Sequence, residues 1–287
     1  MNHPAKPLSL LWRYDGGRGA LIWQLMFTST GEVIGQKRFS ASRQALLFCL
    51  DAGSGELFTD DYLLMDTLHD LPLGEGWFTG LDTTVQHLLY CHTYQSNSPE
   101  HRGIWAIDLK NSRVEWSRPD LVFAANLGHE LLAYRLSSFA GFPERHFLLI
   151  DPLNGNLIRS LGVETLEVNA LRDGVVPEEE RQEVMLPEFV TEGMAEERLL
   201  LQRAGIFEGT YCECLLYGRF TVAGVHEPVG PGAAWNSFIK VWQEDQLLYL
   251  DCMEEGSVKP SLNNFLIQGG RLYYIKKKEE LLCVALS

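Results

Sequence analysis

One phrase recurs along the sequence: an apolar run ends at an aspartate, Ser or Asn follows three residues later, and a second run begins shortly afterwards. The aspartates are Asp51, Asp108 and Asp151. An Asp at the entry to a turn can accept N–H groups from the residues ahead of it, and Gly55 and Gly155, four positions on, suit the left-handed conformation. The phrase therefore predicts tight turns that join neighbouring strands.

The spacing of these turns constrains the architecture more than the turns themselves. The three aspartates are 57 and 43 residues apart, and Asp251, which also ends an apolar run, lies 100 residues beyond Asp151. Repeats of about 40 to 50 residues that each hold four short strands are typical of β-propeller blades. The 100 residues between Asp151 and Asp251 therefore leave room for two repeats.

The rest of the chain has the pattern of an all-β protein. Apolar runs of four to eight residues alternate with clusters of Gly, Asn, Asp, Ser and Pro, which is the pattern of short strands. The nearest helical segments, 61–70 and 177–183, are short. The predicted fold is a single propeller domain over residues 1–287, with six blades at roughly 19–62, 74–118, 120–160, 164–218, 219–260 and from 261 onward.

The last predicted blade has only three strands of its own, at 264–268, 271–275 and 281–286. The segment 8–13 has no early partner, and we expect it to supply the fourth strand, which closes the ring and removes two exposed sheet edges. The blade rhythm is weakest over 164–229, where a seventh blade is the alternative.

A family resemblance follows from the second repeat. Ala106-Ile107-Asp108, followed by Ser112 and Trp116, resembles the repeat of quinoprotein-dehydrogenase-like (PQQ-like, WD40-like) propellers, which has Ala-x-Asp, then Thr-Gly, then Trp. Thr59 and Arg159 stand where the other two repeats would carry the Trp. The chain is most similar to bacterial propellers of unknown function. A quinone-dependent oxidoreductase would need repeated Trp and an export signal, so we expect no cofactor.

Composition and charge narrow the partners. Apolar residues make up 46% of the chain, which is typical of a folded globule, and the net charge is −14. An acidic chain repels nucleic acid and anionic membranes, and the one compact basic run, 276–278, is followed at once by Glu279. We expect neither nucleic acid nor a membrane as a partner. No export signal or membrane-spanning run is visible, so the expected location is cytoplasmic.

The six cysteines are scattered, and most lie in apolar runs. Cys212 and Cys214 form a C-x-C pair, but no second close pair of Cys or His completes a zinc set. We predict reduced core thiols and assign no metal site.

A second repeated feature supplies the candidate binding site. Pro99-Glu100-His101-Arg102 and Pro143-Glu144-Arg145-His146 precede equivalent strands of neighbouring blades, 44 residues apart. Their insertions, 95–103 and 137–146, would emerge on one face of a propeller, which the connection 63–77 with His69 would also reach. Arginine forks and histidine can bind a carboxylate or phosphate. The predicted ligand-binding residues are His69, His101, Arg102, Arg145 and His146.

The sequence thus favours a binding module for a protein or a small anionic ligand. The plainer interpretation, in which these residues are solvated side chains beside hairpins, stays open. A hydrolase or lyase with its site at the axial mouth is the alternative, although neither a Gly-x-Ser-x-Gly elbow nor a His-Glu-x-x-His pair is present, and no catalytic residue is assigned. Metal analysis would discriminate between the two.

Overall fold

The computed structural model describes residues 7–66, 69–94, 100–163, 165–190, 211–230 and 234–286. Every strand pairing found there is antiparallel, and only two α-helices occur, so the all-β prediction is confirmed. The chain divides into two compact units: one comprises Gly19–Gln182, and the other comprises the described parts of Met1–Arg18 and Glu183–Ser287. The predicted single domain over 1–287 stays a prediction.

The first strand of the chain, β1 (Leu10–Asp15), belongs to the second of these units. The unit 19–182 follows it with three four-stranded sheets and a two-stranded ribbon. The first sheet contains β2 (Ala20–Phe27), β3 (Glu32–Phe39), β4 (Gln44–Asp51) and β5 (Leu57–Tyr62), and the ribbon contains β6 (Met65–Asp66) and β7 (Leu71–Pro72).

The two remaining sheets of this unit repeat the same up-and-down order. One has β8 (Thr79–Val85), β9 (Leu88–Tyr94), β10 (His101–Asp108) and β11 (Arg113–Arg118), and the other has β12 (Val122–Asn126), β13 (Leu131–Phe139), β14 (Phe142–Ile150) and β15 (Leu157–Gly162). Two helices follow, α1 (Thr165–Asp173) and α2 (Glu178–Arg181).

The other unit holds two five-stranded sheets. Its strands are β16 (Val184–Met185), β17 (Glu188–Phe189), β18 (Tyr211–Tyr217), β19 (Phe220–Val229), β20 (Ala234–Gln243), β21 (Gln246–Ser257), β22 (Phe265–Gln268), β23 (Arg271–Lys276) and β24 (Glu280–Ala285). One sheet has the order β17-β18-β19-β20-β21 and the other β1-β24-β23-β22-β16. The expected pairing of the first strand with the last is present, with Tyr14 opposite Leu281.

The blade count of six is not confirmed. Residues 164–260, for which the sequence predicts two blades, contribute one five-stranded sheet within the described ranges, together with α1, α2 and β16. Residues 191–210 lie outside those ranges. The helical prediction for 177–183 is confirmed by α2. The prediction for 61–70 is wrong over its described part, because 61–62 end β5 and 65–66 form β6, and residues 67 and 68 lie outside the described residues.

The predicted aspartate turns are confirmed at three positions. Oδ1 of Asp51 accepts the backbone N–H groups of Gly53 and Ser54, at 3.0 and 2.7 Å. The carboxylates of Asp108 and Asp151 accept equivalent bonds, from the N–H groups of Asn111 and Leu153, at 3.1 and 2.7 Å. These bonds satisfy N–H groups that the turn removes from the strand ladder.

The fourth aspartate differs from the other three. Asp251 lies inside β21 rather than at a turn, and its carboxylate accepts bonds from the hydroxyl of Tyr274 and the ammonium of Lys276. Spacing alone cannot distinguish an Asp that ends a strand from one that pairs with a neighbouring strand.

A contact between neighbouring sheets repeats in the unit 19–182. Nε1 of Trp116, in β11, donates to the carbonyl of Pro152 at 2.9 Å, and its ring lies where a Cβ on Gly155 would stand. One sheet earlier, Thr59 makes the matching bond: its hydroxyl donates to the carbonyl of Leu109. Each acceptor is the residue directly after a turn aspartate, so the two contacts are structurally equivalent.

In the described ranges, no helix is long and apolar enough to cross a membrane.

Candidate functional site

The most unusual group of polar side chains surrounds the start of β10. His101, the first residue of that strand, stacks on His92 of β9 with ring centroids 3.5 Å apart and planes 10° from parallel. Asp82 of β8 contacts both rings: its Oδ1 lies 2.7 Å from Nδ1 of His92 and 3.6 Å from Nδ1 of His101. We call these three residues the Asp82 cluster.

The local structure of the sheet explains how three strands bring these groups together. A register irregularity between Leu81 and Thr83 places Asp82 where regular alternation would not. His92 pairs with Gly80 across the strands. A Cβ at that position would stand 2.6 Å from Nε2 of His92, so only glycine leaves room for this imidazole.

Burial of polar atoms that lack a hydrogen bond makes the Asp82 cluster energetically unfavourable. The side chains of Asp82 and His92 are each only 3% exposed, whereas that of His101 is 37% exposed and opens the cluster to solvent. Oδ2 of Asp82 and Nε2 of His92 are buried, and neither makes a hydrogen bond within the described residues. Unsatisfied buried polar atoms of this kind are rare in folded proteins.

A second cluster of similar composition shows the contrast. In the other unit, His226 contacts Ser237 through Nδ1 at 2.9 Å and Glu213 through Nε2 at 3.3 Å, and all three side chains are fully buried. The backbone N–H of Asn263 donates to Glu213, and that of Ser261 donates to Ser237. This cluster is saturated and closed, which is what a purely structural network requires.

Arg102, the next residue of β10, lies in a different environment from His101. It lines a groove of about 280 Å³ together with Pro119, Asp120, Leu121, Val122 and Leu136. Asp120 is held by two guanidinium groups, those of Arg118 and Arg135, at 2.9 and 2.6 Å. The bond from Arg118 is the largest cause that lowers the pKa of this carboxyl, and the bond from Arg135 adds to it.

The hairpin β13–β14 borders the same groove. The sequence predicts a long insertion over 137–146, but the two strands continue in register to Phe139 and Phe142, and only Ala140 and Gly141 form the turn. The two phenylalanines face each other across the tip and are 69% and 73% exposed. Large aromatic side chains this exposed are typical of contact surfaces.

Four of the five predicted binding residues come from the two insertions, and they do not form one cluster. These four are His101, Arg102, Arg145 and His146. Successive side chains of a strand alternate between its two faces, so His101 is separated from Arg102 and Arg145 from His146. Arg145 packs over the ring of Tyr134, 4.9 Å from its centroid, and is the cross-strand neighbour of Leu136 in the groove. His146 instead pairs with Glu144, at 3.3 Å.

His69 lies apart from the other predicted residues. It is beside the ribbon β6–β7, where Nδ1 is 2.7 Å from Oδ2 of Asp66, and its side chain is exposed. No contact with His101, Arg102, Arg145 or His146 is found among the described residues. Residues 95–99 of the predicted 95–103 insertion lie outside the described residues.

A second cavity, of about 420 Å³, lies beside α1 and α2. Its lining is mainly apolar, with Leu127, Leu171 and Val175. Its one charged side chain, Arg181, already donates to the carbonyls of Asn126 and Val176, at 3.0 Å each. Nη1 of Arg181 is buried without a hydrogen bond among the described residues and lies 3.5 Å from Oε2 of Glu178.

The sequence indicated His101 but not its partners. Asp82 lies in a strand without any motif, and His92 is separated from it by a turn. The signal that could have found them is the polarity of both residues inside otherwise apolar strands, since buried polar side chains are seldom neutral to function or stability.

The comparisons with known proteins identify a family segment but no activity. Residues 40–116 match a family model described as a domain of unknown function (DUF4905). This segment contains the whole Asp82 cluster. No protein with curated annotation matches the chain.

Solved structures, some of them described as propellers, resemble the chain only remotely. An acylaminoacyl peptidase from Pyrococcus horikoshii is 10% identical, with a TM-score of 0.30, over 92% of this chain and 37% of that one. The β-propeller domain of the Trilobed protease from Pyrococcus furiosus is 8% identical, with a TM-score of 0.31, over 84% and 69%. The Dos1 propeller is 8% identical, with a TM-score of 0.30, over 93% and 67%. The chain thus spans little more than a third of the peptidase.

Proposed function

We propose that this chain is a β-propeller of six blades that serves as a binding module for a segment of another protein. What supports the propeller is the repeated contact between sheets, from Trp116 to the turn after Asp151 and from Thr59 to the turn after Asp108. The ring closure through β1, the kinship with PQQ-like and WD40-like repeats, the bacterial origin and the cytoplasmic location belong to the same proposal.

The groove beside the hairpin β13–β14 is the proposed contact surface. The observation that carries it is the pair Phe139 and Phe142, which are exposed at the hairpin tip. Arg102 and Arg145 flank Leu136 in or beside the groove, and neither guanidinium forms an ion pair with a described residue. Exposed aromatic groups next to arginines that form no ion pair with a described residue suit a segment that carries apolar side chains and a carboxylate.

The experiment selects peptides against the untagged chain from a displayed random library and measures their affinity by fluorescence anisotropy. We expect the selected peptides to combine Asp or Glu with aromatic or aliphatic residues. The double variant Arg102→Ala with Arg145→Ala should weaken the selected peptide by about tenfold, since each lost charged hydrogen bond contributes roughly 1 kcal/mol or more at such a surface.

The matched control removes two other arginines, Arg113→Ala with Arg159→Ala. Both are exposed and paired, with Glu115 and Glu167, and both changes alter the net charge equally. Equal weakening in the two double variants would reduce the effect to bulk charge and contradict the proposal. If a small anion such as citrate binds more tightly than every selected peptide, the partner is a small ligand and not a protein segment.

A hydrolase or lyase is the second proposal. The Asp82–His92 pair supports it, because a buried carboxylate that orients an imidazole is the arrangement of a general base. It predicts turnover that His92→Gln abolishes and that the double variant of Arg102 and Arg145 leaves intact.

A further inference from the structure

We propose that Asp82, His92 and His101 form a binding site for one divalent transition-metal ion of the class that imidazole prefers, with Zn²⁺ and Co²⁺ as its representatives. Each residue offers one ligand atom, and these atoms lie within 4.8 Å of one another. This inference is independent of the peptide groove, because His101 and Arg102 lie on opposite faces of β10.

The chemistry of the donors fits that class of ion. Two imidazoles and one carboxylate are ordinary ligands of Zn²⁺ and related ions, whereas Ca²⁺ and Mg²⁺ prefer sets made of oxygen alone. Two ligands of one tetrahedral zinc ion stand about 3.3 Å apart when each bond is about 2.0 Å long. The 3.6 Å between Oδ1 of Asp82 and Nδ1 of His101 is close to that spacing. The 2.7 Å between Oδ1 of Asp82 and Nδ1 of His92 is a hydrogen-bond distance, and it must lengthen by about 0.6 Å for both atoms to bind one ion.

The burial of the cluster is the second, independent observation. A carboxylate that is 97% buried needs a cation or several donors, and Asp82 contacts only two imidazoles, with Oδ2 left without a donor among the described residues. The Glu213–His226–Ser237 cluster shows how this chain satisfies a buried carboxylate when no ligand is needed, because the backbone N–H of Asn263 lies 3.0 Å from both oxygens of Glu213 and Nε2 of His226 lies 3.3 Å from Oε2. Among the described residues, no backbone N–H donates to Asp82.

Access and an open coordination position come from His101. Its imidazole is the exposed member of the cluster, so an ion can enter from its side without opening the core. Three protein ligands leave the fourth position of a tetrahedral ion for water or a bound molecule. Gly80 leaves room for the imidazole of His92, and Tyr94 packs edge-on against both imidazoles.

The test titrates the untagged, chelator-treated full chain with Zn²⁺ against a chromophoric competitor, and with Co²⁺ by absorption spectroscopy. We expect about one equivalent to bind, with the thermal midpoint raised by the metal, since a ligand that binds only the folded state stabilises it. The Co²⁺ spectrum should show tetrahedral d–d bands without a thiolate charge-transfer band.

His101→Ala is the decisive variant because its side chain is partly exposed and its loss leaves the core intact. It should weaken Zn²⁺ binding at least about tenfold, as loss of a ligand exceeds the effect of losing a group that only orients one. Asp82→Asn and His92→Gln should do the same where they fold. The matched control is His69→Ala with His146→Ala, which removes two surface histidines that each face a carboxylate.

Three outcomes would overturn the proposal. They are the absence of saturable binding to the wild-type chain, affinity in His101→Ala equal to the wild type, and loss of binding in the surface control. A thiolate band in the Co²⁺ spectrum would also overturn it, because it would move the ion to Cys214 or another cysteine. These four metal-binding measurements do not depend on the result of the peptide experiment.

Discussion

Burial determines the chemistry of the individual thiols. All six cysteines are free, and burial raises the pKa of Cys49, Cys212 and Cys283 to about 12 and that of Cys214 to about 11. Thiols with such values are not nucleophilic near neutral pH. The prediction of reduced core thiols agrees with this, and the cysteines of this chain are packing residues.

Asp120 gives a residue-scale prediction about pH. Its pKa is lowered in the folded state by Arg118 and Arg135, so its stabilising contribution is complete above the unfolded value of about 3.9 and disappears as the pH falls through the folded value. Asp120→Asn should therefore lower the free energy of unfolding by no more than about 1 kcal/mol at pH 7, because the ion pairs are partly exposed.

Urea unfolding at pH 7, 5 and 3 measures the contribution of Asp120 to the free energy of unfolding. The difference between wild type and Asp120→Asn should be constant from pH 7 to 5 and should shrink at pH 3. Asp70→Asn is the control, since that exposed carboxylate forms no ion pair with a described residue. A difference that grows on acidification would show that the sign of the linkage is wrong.

At the scale of elements, each aspartate turn acts together with a hydrogen-bond donor on the preceding sheet. The Asp108 and Asp151 turns each present a carbonyl, one residue on, to the preceding sheet, where Thr59 or Trp116 occupies the same position of the repeat. Threonine and tryptophan differ greatly in size, yet both have a donor that reaches this carbonyl. The hydrogen bond is therefore the feature that the repeat retains.

Removing that donor should destabilise each junction by a similar amount. Trp116→Phe keeps most of the aromatic ring and removes Nε1–H, and Thr59→Val keeps the branched shape and removes the hydroxyl. We expect each to lower the free energy of unfolding by about 1 kcal/mol, the net contribution of one hydrogen bond. Chemical denaturation measures it.

Trp23→Phe is the control for the first variant, because Trp23 is largely exposed. If Trp116→Phe and Thr59→Val both unfold like the wild type, the junction bonds do not stabilise the sheets. If only Trp116→Phe is destabilised, packing on Gly155 explains the effect better than the shared hydrogen bond.

At the scale of the whole molecule, the two ends of the chain meet in one sheet. β1 pairs along β24, and Trp12 and Tyr14 are buried there, with the ring of Trp12 5.8 Å from that of Tyr273. An unpaired β24 would present a row of free backbone groups, which is an edge prone to association.

A chain that lacks residues 1–15 should therefore lose about 3 kcal/mol or more of stability, since two large aromatic side chains and a strand ladder are removed. We expect it to melt earlier and to sediment as mixed oligomers. Adding a synthetic peptide of residues 7–18 should restore the melting temperature, whereas the same peptide with Trp12→Ser and Tyr14→Ser should not. Restoration by both peptides would contradict a specific role for these side chains.

The candidate site could be predicted from the sequence only in part. His101 was indicated by the repeated Pro-Glu motif, but the motif also grouped it with Arg102, from which the alternation of a strand separates it. Arg145 and His146 were separated for the same reason, because 137–146 continues the strand ladder rather than forming a loop. Helix α1 was missed because nine residues of mixed polarity give no clear 3.6-residue period.

The sequence by itself determined most of the strands and the turns at Asp51, Asp108 and Asp151, because these depend on local chemistry and on the alternation of side chains. The pairing of the first strand with the last followed from the missing fourth strand of the last repeat. Only the tertiary structure decided that Asp82, His92 and His101 meet. Their contact requires a register irregularity in β8, a glycine opposite His92 and the approach of three strands, and none of these is encoded by spacing along the chain. Burial then leaves two of their atoms without a hydrogen bond among the described residues, and that feature emerges only when the sheet is packed.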